Sequence, residues 1–171
     1  MKCILGIDPG LAGGLAFMTP DGKIVDTCVM PTRILQKGKR DIDVHVLDAY
    51  LEQYEVMLAV VEKVHATPKM ASNSLFTFGR GVGKLLAVLE LRNIPLEEPR
   101  PQQWKKVILI DTKRDKVDAI AYVRKRFPKC NLLPTLKCTK FHDGMAEAVC
   151  IAEFGRRTYL KITSDGVYQN A

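Results

Sequence analysis

The chain has 171 residues, 47% of them apolar and 26% charged, with a formal net charge of +7. That composition suits one soluble globular domain with a single core and excludes an intrinsically disordered chain. No apolar run reaches the ~18 residues of a membrane span, and Asp8 interrupts the only apolar stretch near the start, so no export signal is read there. The five cysteines, Cys3, Cys28, Cys130, Cys138 and Cys150, are odd in number and scattered. They fit reduced thiols in the cytoplasm better than a disulfide framework. Charge is unevenly spread. Residues 100–140 hold twelve Lys and Arg against Asp111, Asp115 and Asp118, a net +9, and the remainder is −2. A focused basic segment is the footprint of a polyanion partner, although a solvated helix face would give the same count.

In chain order, residues 3–8 (CILGID) are a short apolar run ending in Asp8, followed by the turn-rich PGLAGG. Residues 14–18 and 23–30 read as two further strands, separated by the turn Pro20-Asp21-Gly22, giving a three-stranded antiparallel meander. The spacing predicts a helix over 41–55, with Ile42, Val46, Ala49 and Tyr50 on one face and Asp41 or Asp43 as N-cap. MLAVVEKV (57–64) has the five consecutive apolar residues of a strand buried on both faces, with Glu62 at its end. After the polar loop 65–73, residues 74–92 read as a long helix containing Gly79, Gly81 and Gly83. A short strand is expected at 94–98, then a short helix around QQWKKVIL, a basic helix at 113–126, and a last helix at 143–155. Residues 1–157 form the expected domain, and 158–171 read as a polar tail without fixed structure. Strands first, then helices alternating with buried strands, specify an α/β mixed sheet with helices on both faces.

Four acids stand where apolar residues would be the default. Asp8 and Glu62 end apolar strands, and Asp143 and Glu147 lie four apart on the last helix, hence on one face. Carboxylates brought together repel and raise one another's pKa. A divalent cation removes that penalty, and Mg²⁺ takes oxygen ligands while keeping waters for a phosphate. Two such ions about 4 Å apart stabilise the attacking and leaving oxygens of a phosphodiester displacement. Taken singly, each acid also has a plain role: Asp8 in a turn, Glu62 paired with Lys63 or Lys84, Asp143 as a helix cap.

The segments GIDPGLAGG (6–14), VVEKVHA (60–66), SNSLFTFGRGVGK (72–84), PQQWKK (101–106) and HDGMAEAVCIAEFGRR (142–157) occur in that order. Together they resemble the RuvC-type Holliday-junction resolvases, above all the compact bacteriophage members, over residues 3 to about 157. The resemblance implies an RNase H-like fold of three antiparallel strands followed by parallel ones. It implies a homodimer in a bacterial or phage-infected cell that cuts branched DNA, a four-way junction, with two Mg²⁺ per site, Mn²⁺ substituting. The products would carry a 5′-phosphate and a 3′-hydroxyl. The family's carboxylates fall on Asp8, Glu62, Asp143 and Glu147, and its two basic residues near the scissile phosphate fall on Lys105 and Lys116. The sequence departs from the pattern twice. The closing acids are four residues apart rather than three, with Gly144 at the three-apart position, and the last acid is Glu rather than Asp. His142, beside them, is an auxiliary candidate as proton carrier, phosphate contact or helix cap.

Other readings follow from the same residues. Arg80, Lys84, Lys106, Lys113 and Arg114 join Lys105 and Lys116 as candidate DNA-phosphate contacts. GRGVGK (79–84) is not a nucleotide-binding P-loop, because Phe78 stands where Gly is needed and Leu85 where Ser or Thr is needed. No nucleotide cofactor and no membrane partner are therefore expected. Phe76, Phe78 or Met70 could wedge into a junction crossover, with core packing the plainer role of the phenylalanines. Cys130, Cys138, His142 and Cys150 match no compact zinc knuckle. Trp104 reads as core, and Leu85, Val88, Leu89 and Arg92 of the long helix are candidates for a dimer seam. Rival functions are a branched-DNA binding module without catalysis, an RNase H-type hybrid nuclease, and an actin-like ATPase, whose usual domain duplication 171 residues cannot hold.

Overall fold

The computed structural model describes residues 1–65, 71–162 and 168–170. Its centre is a five-stranded sheet. β1 (Lys2–Asp8), β2 (Gly14–Met18) and β3 (Ile24–Val29) form the expected antiparallel meander. β4 (Thr32–Ile34) and β5 (Arg40–Ile42) pair with each other as a separate hairpin. α1 (Val44–Glu52) leads into β6 (Glu55–Val61), which lies parallel to β1. α2 (Ser72–Leu91) then leads to β7 (Leu96–Glu97), parallel to β6. The spatial order is β3-β2-β1-β6-β7. α3 (Pro101–Ile108), α4 (Lys116–Arg126) and α5 (Asp143–Thr158) follow. Among the described residues no helix is long and apolar enough to cross a membrane.

Two apolar cores, one on each face of the sheet, follow from strand alternation. Cys3, Leu5 and Ile7 of β1 pack with Leu15, Phe17, Ala59 and Val61 against Leu47 and Leu51 of α1 and Leu85, Val88 and Leu89 of α2. Ile4 of β1, with Ala16, Met18, Leu58 and Val60, packs against α3, α4 and α5. α5 is the deepest helix, buried from Gly144 to Gly155.

Several expectations are corrected here. Residues 40–42 belong to a strand, not to the start of α1, and the buried face of α1 is Leu47 and Leu51 while Val46 is exposed. Asp43 caps α1 by accepting from the His45 and Val46 amides. Asp41 is instead buried and bound by Lys84 and Arg80. The seam candidates Leu85, Val88 and Leu89 are spent on the protein's own core, and Arg92 pairs with Asp48 and Glu52. The basic helix begins at Lys116 rather than 113, because Asp115 caps it. Beyond α5, among the described residues, β8 (Leu160–Ile162) pairs antiparallel with β9 (Tyr168–Asn170). The wedge candidate Met70 lies outside the described residues.

α5 approaches the sheet at backbone distance. A Cβ on Gly6 would stand 2.2 Å from the Ala148 carbonyl oxygen and 2.4 Å from the Ala152 nitrogen. A Cβ on Gly144 would stand 2.6 Å from the Ala12 carbonyl, where Gly13 and Gly144 form an isolated β-bridge. Both obstacles are backbone and cannot swing aside. Gly6→Ala should therefore cost about 3 kcal/mol or more, a drop of roughly 10 °C in melting temperature for a chain of this size. Thermal unfolding followed by circular dichroism measures it, and a shift under 2 °C would contradict the close packing.

Candidate active site

Strand register places the first two acids. Ile4 and Gly6 of β1 face α5, so Asp8, two residues further, lies on that side too. On β6, Leu58 and Val60 face the same way, and Glu62 follows two residues later. Ile4 pairs with Leu58 and Gly6 with Val60. Continuing that register sets Asp8 beside Glu62, and the Glu62 amide donates to the Ile7 carbonyl at 3.0 Å. The two ends of adjacent parallel strands thus carry one carboxylate each, both toward the N-terminal half of α5.

The closing pair comes from α5. Asp143 is its first residue and Glu147, buried at 8% exposure, stands one turn further. Each is met by one of the two lysines. Lys105 of α3 donates to Glu147 Oε1 at 3.0 Å, and Lys116, the first residue of α4, pairs with Asp143. Gly144 bears on the altered spacing: a side chain there would collide with the Ala12–Gly13 backbone, so no acid fits at the position three before Glu147.

Electrostatics tie the group together. Burial, then the charges of Glu147 and Glu62, push the Asp8 carboxyl from 3.8 up to about 7, against the Gly10 amide and Lys116. Burial chiefly raises Glu62, with Glu147 adding and the Trp104 indole and Lys105 opposing. Burial would raise Asp143 as well, but the Lys116 hydrogen bond and charge hold it below its usual range. Lys116 is raised by its bond to Asp143, with partial burial opposing and the charges of Glu147 and Asp8 adding. Asp8, Glu62, Asp143, Glu147, Lys105 and Lys116 therefore form one electrostatic cluster.

Trp104 is the residue whose part the sequence hides. It is fully buried, as core residues are, yet its Nε1–H donates to Glu62 Oε1 at 2.9 Å. A buried indole N–H needs an acceptor, and that need was the available signal. Here it fixes the orientation of Glu62, while Lys105 Nζ lies 5.0 Å from the same ring. His142 is a helix cap: its Nδ1 accepts from the Met145 amide at 3.2 Å. Arg80 and Lys84 are engaged with Asp41 away from this cluster. Lys106, Lys113 and Arg114 are exposed on α3 and on the turn before α4. Cys150 is buried within α5, and GRGVGK is part of the helical body of α2 rather than a phosphate-binding loop.

Among the described residues no three His, Cys, Asp or Glu side chains are gathered closely enough to hold an ion as they stand. Two of the four acids are drawn onto lysines instead. The donor set nonetheless suits a hard divalent cation: every group is a carboxylate, and Asp8 and Glu62 are raised by burial and by like charge that a cation would offset.

The Asp8 shift has a measurable consequence. Its carboxyl binds a proton more tightly in the folded chain than in the unfolded one. Stability therefore falls as pH rises from about 4 to about 7. Asp8→Asn removes that loss and should stabilise the metal-free protein near pH 7.5, by on the order of 2–4 kcal/mol. Mg²⁺ should raise the melting temperature of the wild type, more at pH 8 than at pH 6, and leave the Asn variant unmoved. Scanning calorimetry at the two pH values checks both. A variant less stable than wild type without metal would refute the buried-repulsion account.

No protein-family model matches the chain, and no curated protein is similar to it in sequence. Solved structures are similar in shape. The RuvC structure from Thermus thermophilus is 18% identical over 99% of each chain, with a TM-score of 0.58. The T. thermophilus RuvC in complex with a Holliday junction substrate is 16% identical over 99% of each, with a TM-score of 0.56. The yeast mitochondrial Holliday junction resolvase Ydc2 is 20% identical over 90% of this chain and 77% of that one, with a TM-score of 0.54. The expected fold is thereby met: the chain has the mixed-sheet, RNase H-like fold of the RuvC-type Holliday junction resolvases.

Proposed function

We propose that the chain is a metal-dependent, structure-selective endodeoxyribonuclease of the RuvC type that cuts four-way DNA junctions in pairs of strands. The observation that carries this reading is the coupling of Asp8, Glu62, Asp143 and Glu147 with one another and with Lys105 and Lys116, brought from five elements, within a resolvase fold. The basic segment 100–140 adds the surface charge a DNA backbone requires.

Asp8, Glu62, Asp143 and Glu147 would hold Mg²⁺ or Mn²⁺, which when bound supplies Lewis-acid stabilisation of the phosphodiester and a water nucleophile at neutral pH. The chain's own residues do the positioning. Trp104 holds Glu62 by its indole N–H. With a cation held by Asp143 and Glu147, the ammonium groups of Lys105 and Lys116 would be free to meet phosphate oxygens. Lys116, 68% exposed at its side chain, is the better placed to meet incoming DNA, and Lys105, 22% exposed, sits deeper.

A four-way junction has approximate two-fold symmetry, so a C₂ dimer would set one such site at each of two opposed strands. With Leu85, Val88 and Leu89 buried, a seam on α2 would use its outward face, where Gly83, Ala87 and Leu91 are exposed. A second reading, a junction-binding module without turnover, is favoured by one observation: both closing acids are already paired with lysines.

One panel separates these. End-labelled four-way junction, replication fork, linear duplex and RNA–DNA hybrid are incubated with and without Mg²⁺. Symmetric paired nicks in the junction alone, only with metal, are expected. Tight junction binding with no nicks in Mg²⁺ or Mn²⁺ would replace the nuclease by the binding module. Asp8→Asn should abolish nicking and leave junction affinity within about twofold, since it removes a ligand and no basic surface. Light scattering should give about twice 19.1 kDa, and a monomer at micromolar concentration would contradict the paired-site geometry.

A further inference from the structure

The five-stranded sheet ends at β3, whose outer side carries no further strand among the described residues. Alternation decides which of its backbone groups face out. The Met30 amide donates to the Gly13 carbonyl at 3.0 Å, so Cys28 and Asp26, two and four residues back, also turn their backbone groups toward β2. Thr27 and Val29 turn theirs outward. The Thr27 amide is met there by its own neighbour, Asp26 Oδ1, at 2.8 Å, in place of a strand. Edge strands are commonly guarded by lysine or proline, and β3, IVDTCV, has neither. A bulge at Val25, between the pairings of Met18 and Phe17, confines the open edge to residues 27–29.

Beside this edge lies a groove of about 580 Å³, between residues 22–27 and residues 126–131, the end of α4 and the turn after it. Ile24, Val25 and Pro128 give it apolar walls, and Lys23, Arg126 and Lys129 stand around it. Lys23 pairs with Asp21 at 2.7 Å, while Arg126 and Lys129 meet no carboxylate among the described residues. The one acid in the lining, Asp26, is spent on the Thr27 amide and on the Tyr54 hydroxyl, which donates to it at 3.1 Å. The groove stands apart from the carboxylate cluster. α4 and α5 both start at that cluster, where Lys116 meets Asp143, and run away from it. α4 ends at Arg126, and near the end of α5 Arg156 lies against Gly22, where a Cβ would stand 3.2 Å from its Nε. From Asp143 to Arg156 the helix rises about 20 Å.

We propose that this groove docks an extended acidic segment of another protein, which adds a short strand to β3 at residues 27–29 and sets its carboxylates against Lys23, Arg126 and Lys129. A sheet edge presents carbonyls as well as amides, and an extended polypeptide supplies partners for both. A nucleic-acid backbone meets the cations, but its phosphates are acceptors and face the Thr27 and Val29 carbonyls without a donor. A second copy of the chain brings an equally basic groove and no unspent acid. The docking is independent of the nuclease reading. It uses the part of the basic segment 100–140 that the fold carries to the far end of α4, and it holds a partner while leaving the carboxylate cluster open.

The test uses the whole chain and a fluorescein-labelled peptide of alternating Val and Thr between pairs of Asp, titrated by anisotropy without metal. Saturable binding is expected below about 1 mM. Two-dimensional NMR should show amide shifts in β3 and at residues 127–131, and none at Asp8, Glu62 or Glu147. The same peptide with Lys pairs in place of Asp should bind about tenfold more weakly or worse. Methylating its alternate backbone nitrogens should weaken it about fivefold, the effect of a lost strand hydrogen bond. Arg126→Gln together with Lys129→Glu should weaken the Asp-flanked peptide about tenfold with the melting temperature kept. Lys129→Glu alone, on the exposed turn after α4, gives a smaller loss and serves if the double variant fails to fold. No saturable binding, or equal binding of the Lys-flanked or methylated peptide, overturns the proposal. A linear duplex that displaces the peptide and shifts the same amides overturns it too, and makes the groove a DNA surface. The nuclease reading stands or falls on nicking, which this titration does not read.

Discussion

The close seating of α5 on the β1–β2 backbone is the constraint on which the rest of the molecule depends. A helix ordinarily packs on a sheet through interlocking side chains, at about 10 Å. Here Gly6, Gly14 and Gly144 remove the side chains at the contact, and backbone meets backbone. Two consequences follow. The helix brings Asp143 and Glu147 up to the ends of β1 and β6, where alternation has already turned Asp8 and Glu62 toward it. The same contact keeps water from the acids, so burial leads among the causes that raise Asp8 and Glu62. Packing that tight thus creates a charge problem, and the lysines at 105 and 116 pair directly with the two acids on α5 while Asp8 and Glu62 stay raised.

The lysines make that balance conditional. A permanent salt bridge would stabilise the acids and end there. These pairs come from the last turn of α3 and the first residue of α4, so they depend on how those helices dock on α5. The Lys116 pair is mostly in water and is worth little on its own. The Lys105 pair is more enclosed, and breaking it without a replacement would leave Glu147 buried and unpaired. The arrangement favours exchange of partners over loss of them.

Much of the fold is legible in the sequence, and what is hidden has a physical pattern. β2 is readable to the residue because GLAFM lies between turn residues and is buried throughout. The ends of β1 and β6 are readable because an acid stops each apolar run. Residues 40–42 are misread because Ile42 fits the helical spacing of Val46 and Ala49, and because β5 exists only through its pairing with β4. Asp41 reads as a cap since its true partners lie about forty residues on. Long-range pairing is the common cause: no local window contains Lys84 when it contains Asp41, or Glu62 when it contains Trp104.

The same cause governs the site. Each acid could be named from its own surroundings, but their meeting depends on register between β1 and β6, which passes through an irregularity between Cys3 and Ile4. A one-residue slip there would send Asp8 to the opposite face from Glu62. Gly144 resolves what the sequence leaves as an anomaly. The four-residue spacing of the closing acids deviates from the family pattern until the Ala12–Gly13 backbone is seen against α5. Position 144 then admits no side chain, and Asp143 and Glu147, one turn apart, share a face of α5.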